Sequence, residues 1–248
     1  MKKLLYILFL VSSVSFGQLG MSVGTVANGE VSADAPEITI GNTSNTGRLE
    51  DQATSITLSH TCAANTEMLV VTISAYETVT LGSTGATYNG VAMTEQIGVF
   101  EGGDVDGGIY IFTLANPTTG SAQDIVWSFS NANLNDVVVS AIDLEVTSGS
   151  ISVDVTSSVN NVTTGDPTVD ITTVASNTVI IDVMYTKANS PYSVGTGQTE
   201  VSAIDLGTSS SGTSYKIETS SGTKTMYWDN TGVDEIAKSG AVSFKSEN

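Results

Sequence analysis

Apolar and polar residues alternate along most of this chain, with a period of two that matches a strand presenting one face to a core. The alternation predicts strands at Glu37–Ile40, Ser55–Thr61, Glu67–Ala75, Ala86–Tyr88, Val91–Val99, Gly108–Leu114, Asp124–Ser130 and Asp136–Leu144. It continues at Ser150–Thr156, Thr168–Ile171, Thr178–Tyr185, Glu200–Asp205, Ser214–Thr219, Thr223–Asp229 and Ala237–Phe244. Turn clusters such as Gly82-Ser83-Thr84-Gly85, Asn116-Pro117 and Thr219-Ser220-Ser221-Gly222 separate them. Leu69-Val70-Val71 and Val179-Ile180-Ile181 are unbroken apolar runs, which predicts central strands. No stretch carries the period of an amphipathic helix. Many short strands at near-regular spacing imply an all-β sandwich or barrel. Within ATYNGVAMTE, Asn89-Gly90 predicts a type I′ hairpin turn, which needs positive φ at both central residues. The phrase Val-Ser-Ala-Ile-Asp-Leu occurs at 139–144 and again at 201–206. Its flanks differ, so it reads as two strands of similar pattern and not as a duplication.

Composition narrows the class. Of 248 residues, 40% are hydrophobic and 14% charged, which suffices for a buried core and argues against a disordered chain. The formal charge of -18 repels phosphate, so nucleic acid and anionic membrane are poor partners and no nucleic acid is expected. The acidity fits solubility in a salty medium, or cation binding through hard oxygen ligands.

The first residues change the picture of where the chain works. Lys2 and Lys3 precede the apolar stretch Leu4–Val11, and Ser15-Phe16-Gly17 supplies small residues where a signal peptidase reads. Residues 1–17 are expected to be a signal peptide cut near Gly17/Gln18, giving a secreted protein. The apolar stretch is too short for a permanent span, and no later run is long enough, so no stable membrane insertion is expected. Residues 18–35 read as a flexible lead-in and 36–248 as a single β-sandwich domain.

From residue 50 onward the chain resembles a widespread family of extracellular and phage-borne β-sandwich domains of the jelly-roll or concanavalin-like kind. The resemblance lies in SITLSHT, NTEMLVVTIS, ATYNGVAMTEQIG, IYIFTLANPTTGSAQDIVWSFS and VVVSAIDLEV, followed by NTVIIDVMYT, GTGQTEV, SYKIETSSGTKTMYWDN and GAVSFKS. Glu67 departs from it, since Arg is common at that position in the family. The resemblance implies an antiparallel jelly-roll or concanavalin-like sandwich. It also implies a binding or structural module rather than an enzyme.

His60 is the only His and no Gly-x-Ser-x-Gly elbow exists, so a hydrolase triad is not expected. Cys62 is the only Cys, so no intramolecular disulfide forms, and with His60 it offers too few ligands for zinc. The loop EGGDVDGG brings Glu101, Asp104 and Asp106 together between glycines and is the candidate Ca²⁺ site; the alternative is a solvated hairpin tip. Trp127, Trp228 and Tyr192 are the candidate ring faces for a carbohydrate, against an ordinary role in core packing. The expectation is a secreted, non-catalytic module that binds carbohydrate or another cell-envelope ligand. The alternatives are a structural component of a surface or virion assembly, and a glycan-cleaving enzyme with a noncanonical carboxylate pair.

Overall fold

The computed structural model describes residues 37–248 apart from 53, 77–82, 102–106, 131–133, 163–165, 188–191 and 231–235. Every regular element among the described residues is a β-strand, and every ladder between them is antiparallel. The first half of the chain contributes β1 (Ile38–Asn45), β2 (Leu49–Gln52), β3 (Ser55–His60), β4 (Thr66–Tyr76) and β5 (Ser83–Tyr88). It continues with β6 (Val91–Ala92), β7 (Thr94–Glu101), β8 (Gly107–Ala115), β9 (Gln123–Phe129) and β10 (Leu134–Val146). The second half contributes β11 (Ser150–Val162), β12 (Thr168–Thr173), β13 (Thr178–Thr186) and β14 (Tyr192–Val194). It ends with β15 (Thr199–Asp205), β16 (Ser210–Glu218), β17 (Gly222–Asn230) and β18 (Ala237–Glu247).

These strands form four sheets. In the first half, β1-β10-β4-β8-β7 lies opposite β3-β9-β5-β6, and β2 also pairs with β10. In the second half, β11-β18-β13-β16-β15 lies opposite β12-β17-β14. The two halves repeat one topology. Reading β11 for β1, β12 for β3, β13 for β4, β14 for β5, β15 for β7, β16 for β8, β17 for β9 and β18 for β10 turns one pair of sheet orders into the other. The repeated hexapeptide does not mark the repeat, because it falls on β10 in one half and begins on β15 in the other, which are not equivalent strands.

The buried side chains show how the sheets stack. Ile56, Tyr88, Ile125 and Trp127 of the small first sheet meet Leu69, Val71, Ile73 and Phe112 of the large one. On the other face of that large sheet, Val70, Ile111, Ile142 and Leu144 meet Val179, Ile181, Val183 and Phe244 of the second large sheet. Beyond it, Ile180 and Ala241 meet Val169, Ile171 and Met226 of the small second sheet. The described residues thus form two sandwiches sharing an inner interface, four layers deep, within one compact unit that spans Ala35–Asn248. The two large sheets are covered on both faces. A strand covered on both faces has no solvent side to keep polar, which is why β4 and β13 carry the unbroken apolar runs.

Asn89 and Gly90 have φ of 50° and 75°, and Tyr88 pairs with Val91 across them, as the type I′ turn requires. A different glycine is fixed by packing. A Cβ on Gly212 of β16 would lie 2.7–2.8 Å from three ring carbons of Trp228. Gly212→Ala is therefore expected to cost about 1–3 kcal/mol by overpacking. Urea denaturation checks this, and an unchanged midpoint would show that the indole moves freely.

Candidate functional site

The three aromatic candidates lie in the interior, which corrects their assignment as sugar-stacking faces. Trp127 and Trp228 are 0% exposed and Tyr192 is 8% exposed. Trp127 occupies an inward position of β9, with its ring 5.5 Å from Tyr110 and 4.9 Å from Phe129 between centroids. Trp228 sits on the inward face of β17 in a cluster with Met184 and Tyr192. Tyr192, expected in a loop, opens β14 and donates its hydroxyl to Thr186 Oγ1 at 3.2 Å. Ring faces consumed by core packing are not available to a ligand. Of the expected Ca²⁺ ligands, Glu101 closes β7, while Asp104 and Asp106 lie outside the described residues.

The densest chemistry among the described residues lies elsewhere, around His60. β3 alternates exposed and buried residues, so Ile56, Leu58 and His60 point inward and His60 ends the strand beneath the surface. Asp143 stands on β10, two residues beyond Ala141 on the face toward the small sheet. His60 Nε2 lies 2.8 Å from Asp143 Oδ1, and both side chains are almost wholly enclosed. His60 Nδ1 lies 2.8 Å from Ser44 Oγ of β1. Asp143 Oδ2 accepts from the Ala63 N–H at 2.8 Å and the Asn42 N–H at 3.3 Å. The second contact depends on a break in register between Ile40 and Thr43, where β1 bulges away from β10 and aims the Asn42 N–H at the carboxylate. Gly41 sits in that bulge, where an added Cβ would come within 2.9 Å of Asp143 Cβ.

Cys62 and Tyr88 complete the cluster. Burial pushes the Cys62 thiol up to about 12, so as a free thiol it stays protonated and inert at neutral pH. Burial also raises the Tyr88 phenol, whose hydroxyl donates to the Thr118 carbonyl at 3.0 Å. Burial pushes the Asp143 carboxyl up, but bonds from His60 and the Ala63 N–H outweigh it and hold the group below the usual carboxylate range. Ser44, His60 and Asp143 thus form one hydrogen-bonded line, with the imidazole enclosed between hydroxyl and carboxylate. A His60 ring nitrogen, Cys62 Sγ and an Asp143 oxygen all lie within 4.8 Å of one another, so among the described residues these three form a set able to hold a metal. The sequence pairs His60 with Cys62 as possible ligands but gives no sign of Asp143, which is 83 residues away from His60.

A second buried acid occupies the other sandwich. Asp182 of β13 accepts the Trp228 indole N–H at Oδ2, 2.7 Å away, and the Ser214 N–H at Oδ1, 3.2 Å away; the Ser214 hydroxyl also donates to Oδ1. Burial pushes its carboxyl up to about 7, although these donors oppose the shift. Its folded pKa is above its unfolded value of 3.8, so between about pH 4 and 7 the native state binds more protons than the unfolded chain. The Asp182 contribution to stability is therefore greatest below pH 4, falls as pH rises through that window, and is flat above it. Urea titrations of the wild type and Asp182→Asn check this. The difference between them should move against the wild type from pH 4.5 to pH 8, and a constant difference would refute the assignment.

Fold and sites together define the class: an antiparallel all-β protein built from paired sandwiches, with two buried carboxylate networks. No family model matches the chain, and no curated protein or solved structure is significantly similar to it.

Proposed function

We propose that this chain is a secreted, non-catalytic β-sandwich module that binds an extended polar ligand of the cell envelope or extracellular medium, a carbohydrate in the first instance. The observation that carries this reading is a groove of about 290 Å³ where β7, the edge of one large sheet, runs beside β11, the edge of the other. Gln96, Ile97, Gly98 and Val99 line one wall, and Thr156, Ser157 and Ser158 the other. Amide and hydroxyl groups of this kind hydrogen-bond to sugar hydroxyls or to an extended backbone. The enclosed His60 supports a non-catalytic role, because both its ring nitrogens are engaged below the surface. Lys2, Lys3 and the apolar stretch after them support secretion.

The strand orders support a jelly roll. Counting β1, β3, β4, β5, the β6–β7 pair, β8, β9 and β10 as one to eight, the facing sheets run 1-8-3-6 and 2-7-4-5, an order of two interleaved Greek keys. The β6–β7 pair starts in the small sheet and finishes on the edge of the large one, extending it past strand six.

A glycan array and an envelope-polysaccharide pull-down test the ligand. Retention that is lost in Gln96→Ala/Ser158→Ala is the expected result, and no retention of any glycan would overturn the carbohydrate reading. Assembly is the second reading, favoured by the edge positions of β7 and β11. It predicts oligomers in light scattering, and a strict monomer at high concentration counts against it.

A further inference from the structure

We propose that His60, Cys62 and Asp143 form a site for one divalent transition-metal ion of the zinc class, enclosed beneath β1 in the first sandwich. The inference is independent of the groove and of what binds there. Nitrogen, sulfur and oxygen donors converge from the end of β3, from the bridge residue after it and from β10. All three residues are buried, and their ligand atoms lie within 4.8 Å of one another. A mixed set with one thiolate suits a borderline-soft ion and not Ca²⁺ or Mg²⁺, which take oxygen ligands.

The surroundings are already arranged to orient such ligands. Ser44 Oγ holds His60 Nδ1 at 2.8 Å. A hydroxyl both donates and accepts, so it serves either tautomer of the ring and leaves Nε2 able to present its lone pair. The Ala63 and Asn42 N–H groups fix Asp143 through Oδ2, which leaves Oδ1 facing the imidazole. Partners of this sort on the far side of each ligand set its direction and basicity. The Tyr88 hydroxyl closes the site on the Cys62 side.

Geometry states what binding requires. His60 Nε2 and Asp143 Oδ1 stand 2.8 Å apart, sharing a proton. Two donors on zinc at bond lengths of about 2.0–2.1 Å and a tetrahedral angle stand about 3.3 Å apart. The ion therefore displaces that proton and parts the pair by about half an ångström, a movement within the reach of side-chain torsions. The imidazole proton passes to Nδ1, facing Ser44, and the thiol proton leaves to solvent as Cys62 binds as thiolate. The net charge of -18 raises the local concentration of cations around the chain.

The test uses the purified full-length chain, stripped with chelator and then titrated with Zn²⁺ alone or Co²⁺ alone. One equivalent of Zn²⁺ retained after desalting, a raised melting temperature, and a thiolate-to-Co²⁺ charge-transfer band are expected. Cys62→Ser should abolish the band and weaken Zn²⁺ affinity, with circular dichroism confirming that it folds. Ser44→Ala touches no ligand position and should weaken affinity roughly 10–100-fold through His60 orientation. No retained Zn²⁺ in the wild type overturns the proposal without any variant. So does Co²⁺ bound without the charge-transfer band, which would place the ion on surface carboxylates, and so does a folded Cys62→Ser chain that binds as tightly as the wild type.

Discussion

Replacing Asp143 with Ala is expected to destabilise the protein by about 3–5 kcal/mol, the cost of removing one partner from a buried charged network. The change strands the His60 ring in the interior, and it also takes the acceptor from the N–H groups of Ala63 and Asn42 nearer the surface. Asp143→Asn separates shape from charge. It keeps the volume and one acceptor, but must turn an NH₂ group toward either the ring or the backbone N–H groups, so an intermediate loss is expected. The sign of the pH effect follows from the depressed Asp143 carboxyl. Its contribution is present above the unfolded value of 3.8 and is lost as pH falls below that, so the Asp143→Ala deficit should shrink in acid. Chemical denaturation at neutral pH and at pH 3 checks both statements. A neutral-pH loss under about 1 kcal/mol would mean that the cluster contributes no more than a surface bond.

Trp228→Ala is the second large effect, again expected at about 3–5 kcal/mol, from a cavity left by the largest side chain of the second core. The indole also donates to Asp182, so its loss removes one of the donors that ease burial of that carboxylate. Trp228→Phe isolates this second contribution, because it keeps most of the ring and deletes the N–H. Its deficit should be larger at pH 8, where Asp182 is ionised, than at pH 5, where the carboxyl is protonated and needs the donor less. Calorimetry at the two pH values reads the difference. Equal deficits would show that the cost is packing alone, and a double-mutant cycle with Asp182→Asn measures the coupling directly.

The strands were legible because alternation survives wherever one face is wet. β3, β9 and β12 show it plainly, and their predicted and observed spans nearly coincide. The central strands were legible for the opposite reason, since β4 and β13 have no wet face to punctuate them. The span expected at Val91–Val99 instead splits at Met93 into β6 and β7, because the chain changes sheets there; period-two patterning does not encode which sheet a residue joins. The topological repeat was hidden by the same limit. Pattern specifies which side of a strand is apolar, and the two halves meet that demand with different residues, such as Val71 facing one core and Asp182 the other. Trp127 and Trp228 could have been placed by alternation, since Ile125 and Met226 precede them by two on the same inward face. The His60–Asp143 contact had no local signal, being a side-chain contact between strands of facing sheets that are far apart in sequence.

The chain crosses from the first sandwich to the second once, through Thr147, Ser148 and Gly149 between β10 and β11. The halves also meet across a shared inner face, where Val70, Ile111, Ile142 and Leu144 pack against Val179, Ile181, Val183 and Phe244. Hydrogen bonds between Thr72 and Thr213, between Ser140 and Ser202, and from Lys238 Nζ to the Gly107 carbonyl cross the same face. Nicking the backbone at that crossing would therefore leave two fragments, each with a complete strand order and one bare apolar wall. Each wall already has its match in the other fragment, so the protein is in effect two subunits held together by a three-residue tether.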